Sequence, residues 1–224
     1  MGNGIAYAWT KEDAAGNPVA VGVTFTESAL SGLPTEKPDT GFDGYEFPLA
    51  LPKNGATAKT PFDHVALDWN PKGHIPPGIY DVPHFDVHFY TTPISERLKI
   101  TLEGDDMERC RKQPDPKFMP EGYIYAPESE IKFMGAHWVD VATPELNGKP
   151  FTYTFLYGSY NGNVMFYEPM MTLEYLLGKP NFTEALKQPK DVQRPGLYYP
   201  TKYTIRYDAE RREYIVTLEG FVKR

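Results

Sequence analysis

A chain of 224 residues can bury a sizeable core as one large β domain but would be cramped as two compact domains, so we predict a single domain spanning 1–224. The formal net charge of −7 argues against nucleic-acid binding, which needs a basic face to neutralise phosphates. No apolar run approaches the roughly 18 to 20 residues of a membrane-spanning helix. The 16 Tyr, 13 Phe and 22 Pro favour short strands joined by turns.

The N-terminal part of the chain alternates strand patterns with long connections. Residues 5–10 and 19–26 are rich in β-branched and aromatic residues and flank the turn AAGNP, which predicts a hairpin. Residues 31–60 are rich in Gly, Pro and Thr without a sustained period, which predicts a long surface connection that can act as a lid. A short strand at 64–67 precedes the turn-prone DWNPKGHIPPG and a strand over 79–90.

The rest of the chain is predicted as short strands with two or three short helices. Further strands are expected over 123–125, 131–134, 137–141, 151–157, 163–168, 202–207 and 213–219. Helical segments are expected over 93–102, 169–177 and 182–187, because proline opens the first two. The pair Asn161-Gly162 is the strongest local hairpin signal. The sequence therefore predicts a mainly β fold of about ten strands, closed as a barrel or a sandwich.

The chain contains one cysteine, Cys110, which excludes an internal disulfide. It lies in the polar stretch ERCRKQPDP, which is typical of an exposed loop. No neighbouring residue is placed by the sequence to activate its thiol, so a cysteine nucleophile is the weaker interpretation.

The most informative stretch is PHFDVHFY at 83–90, inside a region that contains all five histidines of the chain. Strand periodicity places one row of side chains on a single face, namely His84, Asp86, His88 and Tyr90. The apolar residues between them lie on the other face, which is typical of a core. A helix would also bring the two histidines together, but Pro83 and the β-branched and aromatic content favour a strand, and the glutamate of HExxH is missing.

Strand geometry limits how this row binds a ligand. His84 and His88 lie roughly 13 Å apart on a regular strand, too far to bind one ion, whereas residues two apart lie roughly 7 Å from each other. Two arrangements stay open: Asp86 pairs with one histidine, or a bulge brings both histidines together. A carboxylate between imidazoles also suits acid/base work. In each arrangement we expect the three side chains to face one cavity.

Further ligands are available outside this strand. His137 follows small residues in MGAHWVD, and Glu168 ends the strand pattern VMFYE. We interpret His84, His88 and His137 as metal ligands, with Asp86 and Glu168 as catalytic carboxylates. Three nitrogens and a carboxylate suit Zn, Mn, Fe, Ni or Cu.

Plainer interpretations stand beside this hypothesis. Each histidine can be a structural or surface residue, and Glu168 before a proline can stabilise a helix N-terminus electrostatically. We interpret His64, His74 and Tyr90 as groups that organise loops, support the ligands or line a pocket. The sequence lacks a GxSxG elbow, a P-loop, a GxGxxG motif and a CxxC pair, which argues against common hydrolases, nucleotide enzymes and zinc ribbons.

Several blocks resemble one bacterial family, namely GNPVAVGVTFTESALSGLP, FDHVALDWNP, GHIPPGIYDVPHFDVHFY, MGAHWVD and MFYEPMMTLEYL. The type member of this family is a Thermus thermophilus protein controlled by a sigma-E factor and its anti-sigma partner. The resemblance extends to about residue 177. It implies a mainly β fold unlike common ones, a homo-oligomer and an exported location, but no established activity. The matching positions are His64, His74, His84, Asp86, His88, His137 and Glu168.

Two functional hypotheses follow. The first is a metal-dependent hydrolase or lyase that acts on a small molecule through metal-bound water. The second is a non-enzymatic stress-response protein that binds a metal or a small ligand. It would be exported to the periplasm or the cell exterior, with a leader missing from this chain.

Overall fold

A computed structural model describes residues 1–40, 42–53 and 55–224. Within them the chain forms fourteen strands and four short α-helices. The strands are β1 Ala6–Glu12, β2 Pro18–Thr26, β3 Tyr45–Ala50, β4 His64–Asn70, β5 His84–Tyr90, β6 Tyr123–Tyr125, β7 Ala136–Asp140, β8 Tyr153–Tyr160, β9 Asn163–Thr172, β10 Asn181–Ala185, β11 Tyr198–Tyr199, β12 Lys202–Asp208, β13 Glu213–Glu219 and β14 Val222–Lys223. The helices are α1 Gly55–Ala58, α2 Ile94–Arg97, α3 Asp105–Arg111 and α4 Leu173–Leu177.

The strands form three antiparallel sheets. The five-stranded sheet has the order β1-β2-β13-β12-β10, the seven-stranded sheet β3-β4-β5-β9-β8-β7-β6, and β11 pairs with β14. The hairpins predicted at the two ends of the chain and at Asn161-Gly162 are confirmed. Both residues of that last turn have positive φ, 50° and 78°, as a type I′ turn requires.

The two large sheets pack face to face through one hydrophobic core. Their inner faces both contribute to this core, in which Phe25 of β2 stacks on Phe85 of β5 at 5.9 Å and Phe155 of β8 contacts Tyr203 of β12 at 4.9 Å. The arrangement is therefore sandwich-like. No closed barrel forms within the described ranges, since β3 and β6 end the seven-stranded sheet. None of the helices in this part of the chain is long and apolar enough to span a membrane.

The prediction of an irregular connection over 31–60 was wrong for residues 45–50. These form β3, whose alternating half-buried and exposed residues pair with β4. The strand is missed because of Pro48, which is tolerated here since β3 is an edge strand. Residues 41 and 54 of the predicted lid lie outside the described residues.

The predicted helix over 169–177 begins too early. Strand β9 continues through Pro169 to Thr172, and only the last five residues are helical. Thr172 caps the N-terminus of this helix, because its hydroxyl accepts a hydrogen bond from the backbone N–H of Tyr175 at 3.1 Å. Proline is accommodated because β5 and β9 pair at Asp86 and at Phe89 but not between them.

Four smaller corrections concern other parts of the chain. The helix predicted over 93–102 is limited to Ile94–Arg97, and the helical turn predicted over 182–187 is instead strand β10, paired with β12. Residues 131–134 form only an isolated bridge, between Ile131 and Gly135. Cys110 was predicted in an exposed loop, which is wrong: it lies in α3 with 1% exposure, and burial raises the pKa of its thiol to about 12.

Candidate functional site

The candidate site lies on the outer face of the seven-stranded sheet, which faces away from the core between the sheets. Strands β4 and β5 pair without a bulge from His64 opposite Tyr90 to Asn70 opposite His84. Side chains that alternate along these strands therefore stand side by side. Asp68 lies opposite Asp86, so two carboxylates and the histidines of β5 share this face.

The predicted alternation along β5 is confirmed. Phe85, Val87 and Phe89 belong to the core between the sheets, while His84 and His88 make their polar contacts on the outer face. Because the β4–β5 ladder is regular, the arrangement with a bulge that joins the two histidines was wrong. The other alternative, in which Asp86 pairs with one histidine, agrees with the contact between Asp86 and His84. The three residues predicted as metal ligands do not form one group, because His84 lies with His74 and Asp86, whereas His88 and His137 lie with Glu168.

The first group consists of His74, His84 and Asp86, and we call it the His84 group. His84 Nε2 lies 3.2 Å from Asp86 Oδ1, and His74 Nε2 lies 3.4 Å from Asp86 Oδ2. Asn70 of β4 donates a hydrogen bond of 2.7 Å to Asp86 Oδ2. His74 comes from the connection between β4 and β5, where its backbone N–H donates to the carbonyl of Tyr80. It was interpreted as a supporting residue, but it is a full member of this group.

The second group consists of His88, His137 and Glu168, and we call it the His88 group. His88 Nε2 lies 3.2 Å from Glu168 Oε1, and His137 Nε2 lies 3.8 Å from Glu168 Oε2. Glu168 lies within β9, not before a helix, which removes its interpretation as a helix-terminal charge. Gly158 of β8 pairs with both His137 and Phe166. A Cβ there would lie 1.9 Å from the Phe166 ring, so the missing side chain leaves room for that ring beside His137.

Three of the four imidazoles in the two groups share one hydrogen-bonding pattern. His74, His84 and His137 approach backbone carbonyls through Nδ1, at 2.7, 2.6 and 2.8 Å. Because a carbonyl only accepts, each of these Nδ1 atoms carries a proton, and in the neutral imidazole Nε2 presents its lone pair to the group. His88 Nδ1 instead lies 2.7 Å from Asp68 Oδ2, although the two atoms are not aligned as a hydrogen bond. An imidazole held at one nitrogen by an oxygen is the usual arrangement of a metal-binding histidine.

Several atoms of the groups are buried without a hydrogen-bond partner. Within the part of the chain that the structure describes, they are His84 Nε2, Asp86 Oδ1, His88 Nδ1, His88 Nε2 and Glu168 Oε2. The side chains of these four residues are at most 6% exposed. A buried polar atom without a partner costs roughly 1 to 3 kcal/mol, so the presence of such atoms in both small groups requires an explanation.

Burial and neighbouring charges shift the protonation of these residues. Burial alone would raise the pKa of Asp86, but the neighbouring His84 and His74 hold it well below its ordinary value. Burial also works against protonation of His74, yet Asp86 raises the pKa of that imidazole to about 9. Burial also works against protonation of His88, but Glu168, Tyr90 and Asp68 together raise the pKa of that imidazole well above its ordinary value. In the absence of a metal, the His74 imidazole therefore carries a proton on both nitrogens at neutral pH.

Burial is the main cause of the pKa shifts of His137 and Asp68. Burial lowers the pKa of His137, which keeps its imidazole neutral, and raises the pKa of the Asp68 carboxyl to about 7. Asp68 was not predicted as a site residue. The only signal for it was its position four residues after His64 in a strand pattern, which places both on the same face.

His64 and Tyr90 lie beside the His88 group without joining it. The Tyr90 ring stacks on His64 at 4.8 Å and on His88 at 5.5 Å. The buried guanidinium of Arg97 covers the same ring at 4.4 Å and forms two hydrogen bonds to Glu46, of 2.7 and 2.6 Å. Sequence analysis did not identify Arg97 or Glu46 as neighbours of the site, since Glu46 falls in the segment predicted to be irregular.

Two small apolar clusters enclose the groups on the outer face. One contains Tyr80 and Phe151, whose rings pack near His84, and the other contains Tyr90 and Phe166 near His88. The side chains of His74 and His137 remain 22% and 13% exposed, so each group has one edge near solvent. A surface cavity of about 420 Å³ lies elsewhere, lined in part by Lys53, Phe62 and Arg194.

The comparisons with known proteins bear on one part of the chain. Residues 13–69 are similar to the family described as TTHB210-like: Hypothetical protein TTHB210. This range is less than half of the chain and ends at the last residues of β4, so it includes His64 and Asp68 but no member of the two groups. It supports similarity to an uncharacterised family typified by a Thermus protein, while the wider resemblance to about residue 177 stays a prediction. No curated protein and no solved structure matches the chain.

Proposed function

We propose that this protein binds a divalent transition metal at the His88 group. The observation that carries the proposal is the set of inward-facing atoms His88 Nε2, His137 Nε2 and Glu168 Oε2, two of them buried without a hydrogen-bond partner. A metal ion accepts lone pairs from all three at once, which a single proton does not do. It thereby satisfies atoms whose burial is otherwise unfavourable.

The separations between these atoms fit a metal better than a hydrogen bond. Ligand atoms held tetrahedrally about 2.0 to 2.1 Å from a zinc ion are about 3.3 to 3.4 Å apart. His88 Nε2 lies 3.2 Å from Glu168 Oε1 and His137 Nε2 lies 3.8 Å from Glu168 Oε2, and both separations are longer than the usual 2.7 to 2.9 Å of a charged hydrogen bond. Two imidazoles and one carboxylate suit Zn²⁺ or Fe²⁺ among the candidate metals.

The chemistry that this donor set supports is hydrolysis or a lyase reaction on a small molecule. Three protein ligands leave a position for water, as in catalytic zinc sites, whereas structural sites are usually closed by four. Metal binding there would lower the pKa of the water and supply a nucleophile at neutral pH. Glu168 and His137 would orient that water from the partly exposed edge of the group. Asp68 would hold the imidazole of His88 in place.

A non-enzymatic role in metal binding is the second candidate, and the enclosure of the group favours it. His88 and Glu168 are each 1% exposed, and the described cavity of about 420 Å³ is not lined by either residue. A protein that only binds a metal needs no cavity for a substrate beside the ion.

Metal content of protein made without a His-tag tests the binding proposal. After removal of metal by a chelator and dialysis against Zn²⁺, we expect His88→Ala to retain one ion per chain fewer than the wild type. His64→Ala is the matched control, because His64 is a buried histidine of the same face outside both groups. Glu168→Gln serves as the second variant if His88→Ala does not fold. Equal metal content in the wild type and both folded variants would overturn the proposal.

Activity separates the two candidate roles. The metal-loaded protein is assayed on small carboxylic esters and phosphoesters, before and after chelation. Hydrolysis that disappears with the metal and with Glu168→Gln supports the enzyme. Stoichiometric metal binding without turnover of any substrate class supports the non-enzymatic role.

A further inference from the structure

The His84 group lies directly beside the His88 group on the same face. Asp86 and His88 are two residues apart on β5, which places their side chains roughly 7 Å apart along a regular strand. Asp86 pairs with Met170 of β9, and Glu168 lies two residues from Met170 on the same strand. We propose that the His84 group is a second metal site, so that the protein holds two divalent ions on neighbouring positions of one sheet. Only the ion at the His88 group depends on the proposed function; the ion at the His84 group is inferred from that group's own atoms.

Unpartnered atoms mark the His84 group independently of its neighbour. His84 is fully buried, and its Nδ1–H donates to the carbonyl of Val82 at 2.6 Å. Its Nε2 therefore carries a lone pair in this tautomer, and it faces Asp86 Oδ1 at 3.2 Å. Neither atom has a hydrogen-bond partner among the described residues. Two acceptors that face each other at this distance repel each other unless a cation lies between them.

Asp86 is held so that one oxygen stays available. Asn70 donates to Oδ2 at 2.7 Å, which leaves Oδ1 for a ligand. Asn70 is itself confined, because a Cβ on Gly44 would lie 2.1 Å from its Oδ1. A carboxylate fixed by an amide in this way resembles the supported ligands of metal sites, whose partners set the orientation of the donor atom.

His74 completes the group from the solvent side. Its Nδ1–H donates to the carbonyl of Ile75 at 2.7 Å, and its Nε2 lies 3.4 Å from Asp86 Oδ2. The donor atoms of the three residues lie within 4.8 Å of one another. Its partial exposure gives an ion a route of entry that the buried His84 does not offer.

The competing explanation is a metal-free network in which a proton takes the place of the ion. A protonated His84 would donate from Nε2 to Asp86 Oδ1, and this contact should then be aligned as a hydrogen bond. The two atoms do not have that alignment. The donor set also repeats that of the neighbouring group, with two imidazoles and one carboxylate.

Metal stoichiometry in matched variants tests the second site. Metal-free protein is titrated with Zn²⁺, and bound ions per chain are counted by elemental analysis after gel filtration. We expect two in the wild type, one in His74→Ala, one in His137→Ala and none in the double variant. Each single variant changes a partly exposed histidine, so both retain the fold, which circular dichroism checks. His84→Gln is the second variant for the His84 group.

Each outcome separates the second site from the first. One ion in the wild type that is lost in His137→Ala and kept in His74→Ala overturns the second site and leaves the proposed function standing. One ion that is lost in His74→Ala and kept in His137→Ala overturns the proposed function at the His88 group instead. Two ions in the wild type that persist in both His74→Ala and His84→Gln overturn the second site, and no bound ion in the wild type overturns both proposals.

Discussion

Strand β5 buries Phe85, Val87 and Phe89 on its inner face and His84, Asp86 and His88 on its outer face. The inner side chains pack against aromatic and aliphatic neighbours from both sheets, which is the arrangement that favours stability. The outer side chains are equally buried, yet several of their polar atoms have no hydrogen-bond partner. Burial of that kind is unfavourable in a metal-free protein. One face of the strand therefore stabilises the fold, and the other carries the polar atoms to which we assign a ligand as a proposal.

The largest effect on stability is expected on the inner face. Phe85→Ala should lower the free energy of unfolding by about 3 to 5 kcal/mol, because it leaves a cavity between the two sheets. Metal content of the folded fraction should not change. Phe85→Leu is the milder control, expected to cost less than about 2 kcal/mol. Urea unfolding followed by circular dichroism measures both, and a loss of metal in folded Phe85→Leu would contradict the division between the faces.

Removal of the carboxylate that lies beside His88 should weaken metal binding at the His88 group without destabilising the core between the sheets. Asp68→Asn removes the carboxylate beside His88 Nδ1, which should weaken binding at this group by about 10- to 100-fold. The affinity of the His84 group should change much less. Glu145→Gln is a matched control, since Glu145 is a buried carboxylate outside both groups that accepts a hydrogen bond from Tyr80. Calorimetric titration with Zn²⁺ resolves the two affinities, and equal weakening by both variants would contradict this role.

Metal binding and metal-free stability at the His84 group should both depend on pH through His74. The pKa of His74 is raised to about 9 from its ordinary 6.5, so its contribution to metal-free stability is complete below pH 6.5 and is lost as the pH rises through about 9. Metal binding needs the neutral imidazole, so affinity should increase over the same range and binding should release protons. Titration in buffers of different ionisation enthalpy counts those protons. Affinity that is constant between pH 6.5 and 9 would contradict the account.

The smallest effect is expected at Cys110, far from either face of β5 in sequence. Because the thiol is buried in α3 and its pKa is raised to about 12, a thiol reagent should label the native protein slowly and the unfolded protein fully. Reductant should leave the melting temperature unchanged, since the chain has no second cysteine. Rapid labelling of the native protein would show that α3 opens readily.

Sequence periodicity predicted the elements whose pattern is local. The alternation of apolar and polar residues along β5 predicted which side chains lie on each face, and Asn161-Gly162 predicted the hairpin between β8 and β9. The edge strand β3 and the continuation of β9 through Pro169 were missed, because in both cases sheet neighbours outweigh the local signal of a proline.

The division of the histidines into two groups depends on long-range pairing. Spacing along β5 already separated His84 from His88, but it did not show which partner each would meet. His137 meets Glu168 only because β7, β8 and β9 are neighbours, and His74 returns to Asp86 through a loop. Neither contact has a signature within a single segment of the sequence.

Anomalous X-ray diffraction at the zinc edge, from crystals of chelator-treated protein soaked in Zn²⁺, would locate any bound ion. We expect a peak within bonding distance, about 2.0 to 2.2 Å, of His88 Nε2, His137 Nε2 and a Glu168 carboxylate oxygen. A second peak is predicted among His74, His84 and Asp86. A map with no peak at either group, together with direct hydrogen bonds between the imidazoles and the carboxylates, would contradict both expectations.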